Sequence, residues 1–149
     1  MSIEVDSNIV VDSNIVVATH IDLPYSEHAT AQLSKWFEND CNLFAPTLFE
    51  YEIASILRRF EAAGHMSPSQ SQEAIEAILS LRIEIVSPTL HLHYQALKWA
   101  KRINQSKAYD AHYLALAEQD DASFWTADKR LFNGARQIGI SWIHWIGEG

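Results

Sequence analysis

One cysteine, Cys41, is all the thiol chemistry that this 149-residue sequence offers. It can form no internal disulfide and sits in no Cys-x-x-Cys pair that would seat zinc, so it reads as a small core residue. Also missing is any apolar run near the roughly 20 residues of a membrane-spanning helix, and the N-terminus lacks the basic-then-apolar layout of a secretory signal. A cytoplasmic protein is expected, with no membrane partner. Positive charge is scarce: 11 Lys and Arg stand against 19 Asp and Glu, a formal net charge of -8. That balance argues against holding nucleic acid by bulk electrostatics. If the substrate is nucleic acid, bound divalent cations must supply the positive charge, and part of the acidic excess would be their ligands.

No linker or low-complexity stretch interrupts the chain, and its length suits one domain over residues 1–149. The only repeat is VDSNIV, at Val5–Val10 and again at Val11–Val16, each copy with an aspartate, Asp6 or Asp12. The β-branched run ending at Asp12 reads as a buried parallel strand, with Ser13 and Asn14 as a turn. A helix is expected from Ser26 to Asn39, a strand from Asn42 to Ala45, and a helix after Pro46 and Thr47 that stops at Gly64. Ser67 and Pro68 mark the next helix start. RIEIVSP then reads as a strand, LHLHYQALKWAKRIN and AYDAHYLALAEQDD as helices, ASFWTAD as a strand ending at Asp128, KRLFNGARQIG as a helix and ISWIHWI as a closing strand. Strands separated by helices throughout imply an α/β protein with a central, mainly parallel sheet.

In such sheets ligands bind beyond the carboxyl ends of the strands, where Asp12 and Asp128 fall. Glu52 lies within the apolar stripe Phe49, Ile53, Ile56, Leu57 and Phe60, and Asp110 shares its face with Tyr113, Leu114 and Ala117. Four inward-facing acids need basic partners or a metal, since burying one unpaired carboxylate costs several kcal/mol. Arg58 and Arg59 point elsewhere on their helix, and a set of acids without clustered His or Cys favours magnesium, or manganese, over zinc. Taken singly each acid has a plainer role: Asp12 as a turn or N-cap residue, Glu52 and Asp110 as ion-pair partners, Asp128 as the cap of the helix after it. Glu50 and Asp121 read as solvated.

VVDSN, FEYEIASILRR, YDAHYLALAE, and WTAD followed by KRLF together resemble a PIN-domain ribonuclease of the VapC-like toxin type, over almost the whole chain. The resemblance implies a Rossmann-like α/β/α sandwich and a metal-dependent RNA endonuclease using magnesium or manganese. It further implies a cognate antitoxin whose C-terminal segment, often with an arginine, enters the acidic cleft, and a toxin homodimer. Carried over by position, the catalytic and metal-holding acids are Asp12, Glu52, Asp110 and Asp128, with Asn14 and Thr126 behind them. The duplicated hexamer departs from the family pattern. Six residues is an even shift, so either aspartate would show the same face of a strand; the segment after Asp12 follows the family layout, which assigns the site to Asp12 rather than Asp6.

Lys98, Lys101, Arg102 and Lys107 form the densest basic cluster and precede Asp110, as candidate RNA-phosphate contacts or simply a solvated face. Trp125, Trp142 and Trp145 read as core or sheet residues. LFEYEIASIL and AAGHMSPSQ are the candidate interface segments. Two rivals stand beside the nuclease. A receiver-like phosphoacceptor domain would need a strand-end lysine that ISWIHWI lacks, and a catalytically inactive PIN-fold binding module would have no reason to keep inward-facing acids.

Overall fold

The computed structural model describes residues 7–148, with only the backbone of Glu148. β1 (Asn8–Val11), α1 (Ser13–Val17), α2 (Ser26–Glu38), β2 (Asn42–Pro46), α3 (Leu48–Ala62), α4 (Pro68–Leu79) and β3 (Ile83–Val86) form the first half. They are followed by α5 (Leu90–Arg102), α6 (Tyr109–Gln119), β4 (Ser123–Thr126), α7 (Lys129–Gln137), β5 (Ile143–Trp145) and a 3-10 turn, Ile146–Glu148. The five strands make one sheet in the order β3-β2-β1-β4-β5, and every described pairing is parallel.

β1 is central because its residues tolerate burial on both faces: Ile9, Val10 and Val11 are all buried. It pairs with β2 through Ile9 opposite Leu43 and with β4 through Val11 opposite Trp125. The chain winds outward from β1 through β2 to β3 in one direction, and β4 and β5 build outward in the other. The carboxyl ends of β1 and β4 therefore flank the point where the winding reverses, the crevice in which open α/β sheets bind ligands. α6 is enclosed: Ala111 and Tyr113 to Ala117 are buried, and the Tyr113 ring stacks on Phe124 of β4 at 5.5 Å.

The helix starts follow the expected cap chemistry. Ser67 Oγ accepts from the Gln70 amide while Gln70 Oε1 accepts from the Ser67 amide, with Pro68 at the first helical position. Gly64 follows α3 at φ 81, a left-handed position that glycine takes without a Cβ penalty. Three expectations are corrected. Ser13 and Asn14 open a five-residue helix rather than a turn, with Asp12 at its N-cap position but making no side-chain cap bond. The closing strand is three residues long, because β4 offers ladder partners only from Phe124 to Thr126. Cys41 is half-buried at the edge of β2 rather than in the core. Among the described residues no helix is long and apolar enough to cross a membrane.

Phe124, fully buried between β1 and β5 and stacked on Tyr113, tests the core. Phe124→Ala should lower stability by about 3–5 kcal/mol in urea denaturation; a loss under ~1 kcal/mol would show that the stack contributes little to the fold.

Candidate active site

Asp12 leaves β1 with its amide still bonded to the Trp125 carbonyl, which carries the β1–β4 ladder one residue past the strand. Its side chain is 5% exposed. Oδ2 accepts from Thr126 Oγ1 at 2.8 Å, and Oδ1 lies 3.4 Å from Ser13 Oγ. The same serine hydroxyl is 3.3 Å from Glu52 Oε1. Having one proton, Ser13 serves one carboxylate at a time. Glu52, half-buried on α3, also accepts from Tyr113 OH at 2.6 Å, short as expected for a donor to a charged group. Asp110, half-buried at the start of α6, accepts from Gln105 Nε2 at 3.2 Å.

Asp128 is exposed, and here the expectation of four inward-facing acids is corrected. Its Oδ1 caps α7 by accepting from the amides of Arg130 and Leu131, a role open only at the rim where the helix begins. Its own amide donates to Thr126 Oγ1 at 3.0 Å. The Thr126 hydroxyl thus spans Asp12 and the Asp128 backbone. Asn14 ties the β1 and β4 ends together: its Oδ1 accepts from the Ala127 amide, and its carbonyl accepts from Tyr25 OH.

The acids act on one another. Burial, first, and then the charges of Glu52, Asp110 and Asp128 raise the Asp12 carboxyl to about 8, against the pull of the Thr126 bond. Burial raises Glu52, opposed by its bonds from Tyr113 and Ser13 and assisted by Asp110. Burial also raises Asp110, with Gln105 lowering it and Asp128 raising it further. Tyr113 is pushed well above its ordinary value by burial and by the charges of Asp12 and Glu52, so it stays a donor.

Among the described residues no cationic side chain pairs with these acids. Arg58–Glu61, on the outside of α3, is the only ion pair among the described residues. The donors are hard oxygens, with neither imidazole nor thiolate in the cluster, a set whose chemistry fits magnesium or manganese. As they stand, no three His, Cys, Asp or Glu among the described residues are grouped so as to hold one ion.

Beside the acids opens a cleft of about 820 Å³, between Leu48, Tyr51, Glu52 and Ser55 of α3 and residues 104–110 before and at the start of α6. Lys107 lines it. Lys98, Lys101 and Arg102 are exposed along α5 and do not line it, and the Arg102 guanidinium lies 4.0 Å over the Trp99 ring. Of the basic cluster, Lys107 is thus the member at this cleft. Trp125 and Trp145 are half-buried strand residues of β4 and β5, and Trp142 is half-buried just before β5. Asp6 lies outside the described residues. Ser13, Gln105 and the Tyr113 hydroxyl went unread in the sequence, though the spacing of Tyr113 three residues after Asp110 put both on one face.

The family model described as "PIN domain" matches residues 10–143. No curated protein matches the chain significantly. Several solved structures share its fold. One, from Pyrobaculum aerophilum, is 18% identical, covers 95% of this chain and 90% of its own, with a TM-score of 0.69. A toxin-antitoxin complex from Klebsiella pneumoniae matches at 15% identity, 93% and 97% coverage and TM-score 0.66. Mycobacterium tuberculosis VapC20, described as a sarcin-ricin loop cleaving toxin, matches at 17%, 84% and 93%, and 0.65.

The raised Asp12 carboxyl fixes the sign of a pH effect. The folded protein keeps a proton that the unfolded chain releases near its ordinary 3.8, so this contribution to stability is full below about pH 4 and is lost as pH rises through about 8. In EDTA, wild-type stability by urea denaturation should fall across that window, while Asp12→Asn, neutral throughout, gives a flatter profile. Parallel profiles would mean that Asp12 ionises normally in the folded state.

Proposed function

This chain belongs to the PIN domain family, and on that premise we propose that it is a metal-dependent RNA endonuclease, the cytoplasmic toxin of a toxin-antitoxin pair. The observation that carries the reading is the Asp12 carboxylate, buried at the winding-reversal point among three other acids with no cationic partner among the described residues. A structural carboxylate in that position would be expected to have an ion-pair partner. A binding module would gain nothing from retaining it.

In this reading Asp12, Glu52, Asp110 and Asp128 hold a divalent ion, magnesium or manganese, which when bound lowers the pKa of an attacking water and neutralises charge on the scissile phosphate. The chain's own work is orientation. Thr126 Oγ1 donates to Asp12 Oδ2 and accepts from the Asp128 amide, so one hydroxyl ties the Asp12 carboxyl to the backbone of Asp128. Tyr113 holds Glu52 by Oε1, and its raised pKa keeps the proton on the phenol. Gln105 steadies Asp110, and Asp128 Oδ1 is spent on the α7 cap while Oδ2 has no protein partner among the described residues. Asn14 acts on backbone, holding the β1 and β4 ends together.

The partner proposals draw on the solved neighbours, one a toxin-antitoxin complex and one a sarcin-ricin loop cleaving toxin. An antitoxin segment bearing an arginine would meet the uncompensated acids. For the homodimer, α5 exposes Leu90, Tyr94 and Leu97 at i, i+4 and i+7, one continuous stripe. Leu97→Glu should shift the sedimentation of the isolated protein from dimer to monomer; an unchanged dimer would place the interface elsewhere.

The central test is cleavage of a labelled RNA pool in magnesium, manganese or EDTA. Cutting should need metal, disappear in Asp12→Asn and Asp110→Asn, persist in Asp6→Asn, and fall about 10- to 100-fold in Thr126→Val, which removes only the hydroxyl behind the acid. Loss in Asp6→Asn with retention in Asp12→Asn would reassign the site to the other copy of the repeat. Metal-independent behaviour in every variant would favour the inactive binding module.

A further inference from the structure

Each of the two cleft-lining acids is preceded in sequence by an exposed tyrosine: Tyr51 before Glu52 and Tyr109 before Asp110. Tyr51 is 76% exposed and Tyr109 64%, against half-buried acids beside them. On α3, Leu48, Tyr51, Glu52 and Ser55 fall at i, i+3, i+4 and i+7, one stripe along the cleft wall. The opposite wall is Asn104, Gln105, Ser106, Lys107, Tyr109 and Asp110. Other tyrosines of this centre turn inward, Tyr25 to the Asn14 carbonyl and Tyr113 to Glu52, whereas the Tyr51 and Tyr109 hydroxyls bond to nothing among the described residues.

We infer that Tyr51 and Tyr109 are stacking platforms for the bases of single-stranded RNA, holding nucleotides next to the scissile phosphate. The inference rests on the nuclease reading and names how that site takes its substrate. Charge is the deciding argument. RNA-binding surfaces usually gain affinity from phosphates by releasing counterions, and this chain, at -8 with Lys107 the only cation lining the cleft, has little of that to offer. Base stacking on aromatic faces needs no positive charge and tolerates any sequence. The cleft, at about 820 Å³, lies within the range of sites that enclose small ligands. Its polar groups suit the rest of a nucleotide: the Asn104 amide can pair with a base edge, and Lys107 can meet one phosphate. Gln105 is committed to Asp110 through Nε2.

The test uses a short single-stranded RNA carrying 2-aminopurine, titrated in magnesium with full-length protein bearing Asp12→Asn to silence hydrolysis. Stacking should quench the fluorescence. Adding Tyr51→Ala or Tyr109→Ala should weaken binding roughly 5- to 150-fold each and relieve the quench, while the phenylalanine versions, which keep the ring, restore both. The salt dependence should be shallow, with a slope of log affinity on log salt of about -0.7, one phosphate's worth. In otherwise wild-type protein the alanine variants should raise KM for RNA cleavage and leave kcat nearly unchanged. Unchanged binding and quench in both alanine variants, or a steep salt slope, overturns the inference and would leave the tyrosine face to a protein partner. RNA that is stacked by the tyrosines yet never cut by wild-type protein would sink the nuclease reading and spare this one.

Discussion

A carboxylate buried without a cation is the constraint on which the rest of this structure turns. Placing an ionised acid in an apolar interior costs several kcal/mol unless something compensates it. Asp12 is compensated in part by hydroxyls, Thr126 on one oxygen and Ser13 on the other, and in part by a proton, since its carboxyl is raised to about 8. In the proposed metal-dependent reading, proton and divalent cation would compete for the same oxygens, and the burial that weakens Asp12 as an acid would make the site's affinity for an ion depend on pH.

The parts of the centre come from opposite ends of the chain, and the sheet is what joins them. Thr126 and Asp12 meet across 114 residues because β4 is laid directly beside β1, with Val11 opposite Trp125. α6 is the second organiser. Being enclosed on nearly every side, it carries Tyr113 to Glu52 from beneath while the Tyr113 ring packs on Phe124, so one side chain serves both the core and the acid cluster. A polar bond made by a core residue is rigid in a way that a surface residue's is not, which suits a group whose task is orientation.

Much of this was legible in the sequence. Alternating strands and helices gave the parallel sheet; Ser67, Pro68 and Gly64 gave helix ends; and helical periodicity put Glu52 and Asp110 on faces turned toward the protein. What stayed hidden involves contacts between segments far apart in sequence. Nothing local tells that Ser13 reaches Glu52, 39 residues on, and α1 is too short for its periodicity to show. Asp128 shows the opposite failing: its position at a strand end was right, but burial was inferred from company rather than from the helix it caps, and a cap must sit where backbone amides emerge. The basic run before Asp110 misled for a related reason. Lys98, Lys101 and Arg102 ride on α5, and Arg102 is engaged with Trp99, so nearness in sequence did not carry them to the cleft.

That placement leaves the proposed nuclease with a physical problem. An acidic protein that handles a polyanion must cancel repulsion at the phosphate and find affinity elsewhere. Carboxylates cannot do the first without a cation, and a single lysine cannot do the second alone. In the proposed reading the two tasks would be separate in space. The acids sit at the crevice between β1 and β4 and along its half-buried edge, where charge interactions are strongest; the aromatic rings of Tyr51 and Tyr109 stand out at the rim, where the bases rather than the phosphates of a single strand would be presented. Stacking is indifferent to the sign of the protein's charge, so the acidic excess that weakens phosphate binding costs the rim nothing. In the proposed reading, acids left uncompensated by arginine or lysine follow from the chemistry: a cationic side chain fixed in the crevice would occupy the place that an ion and a phosphate would share.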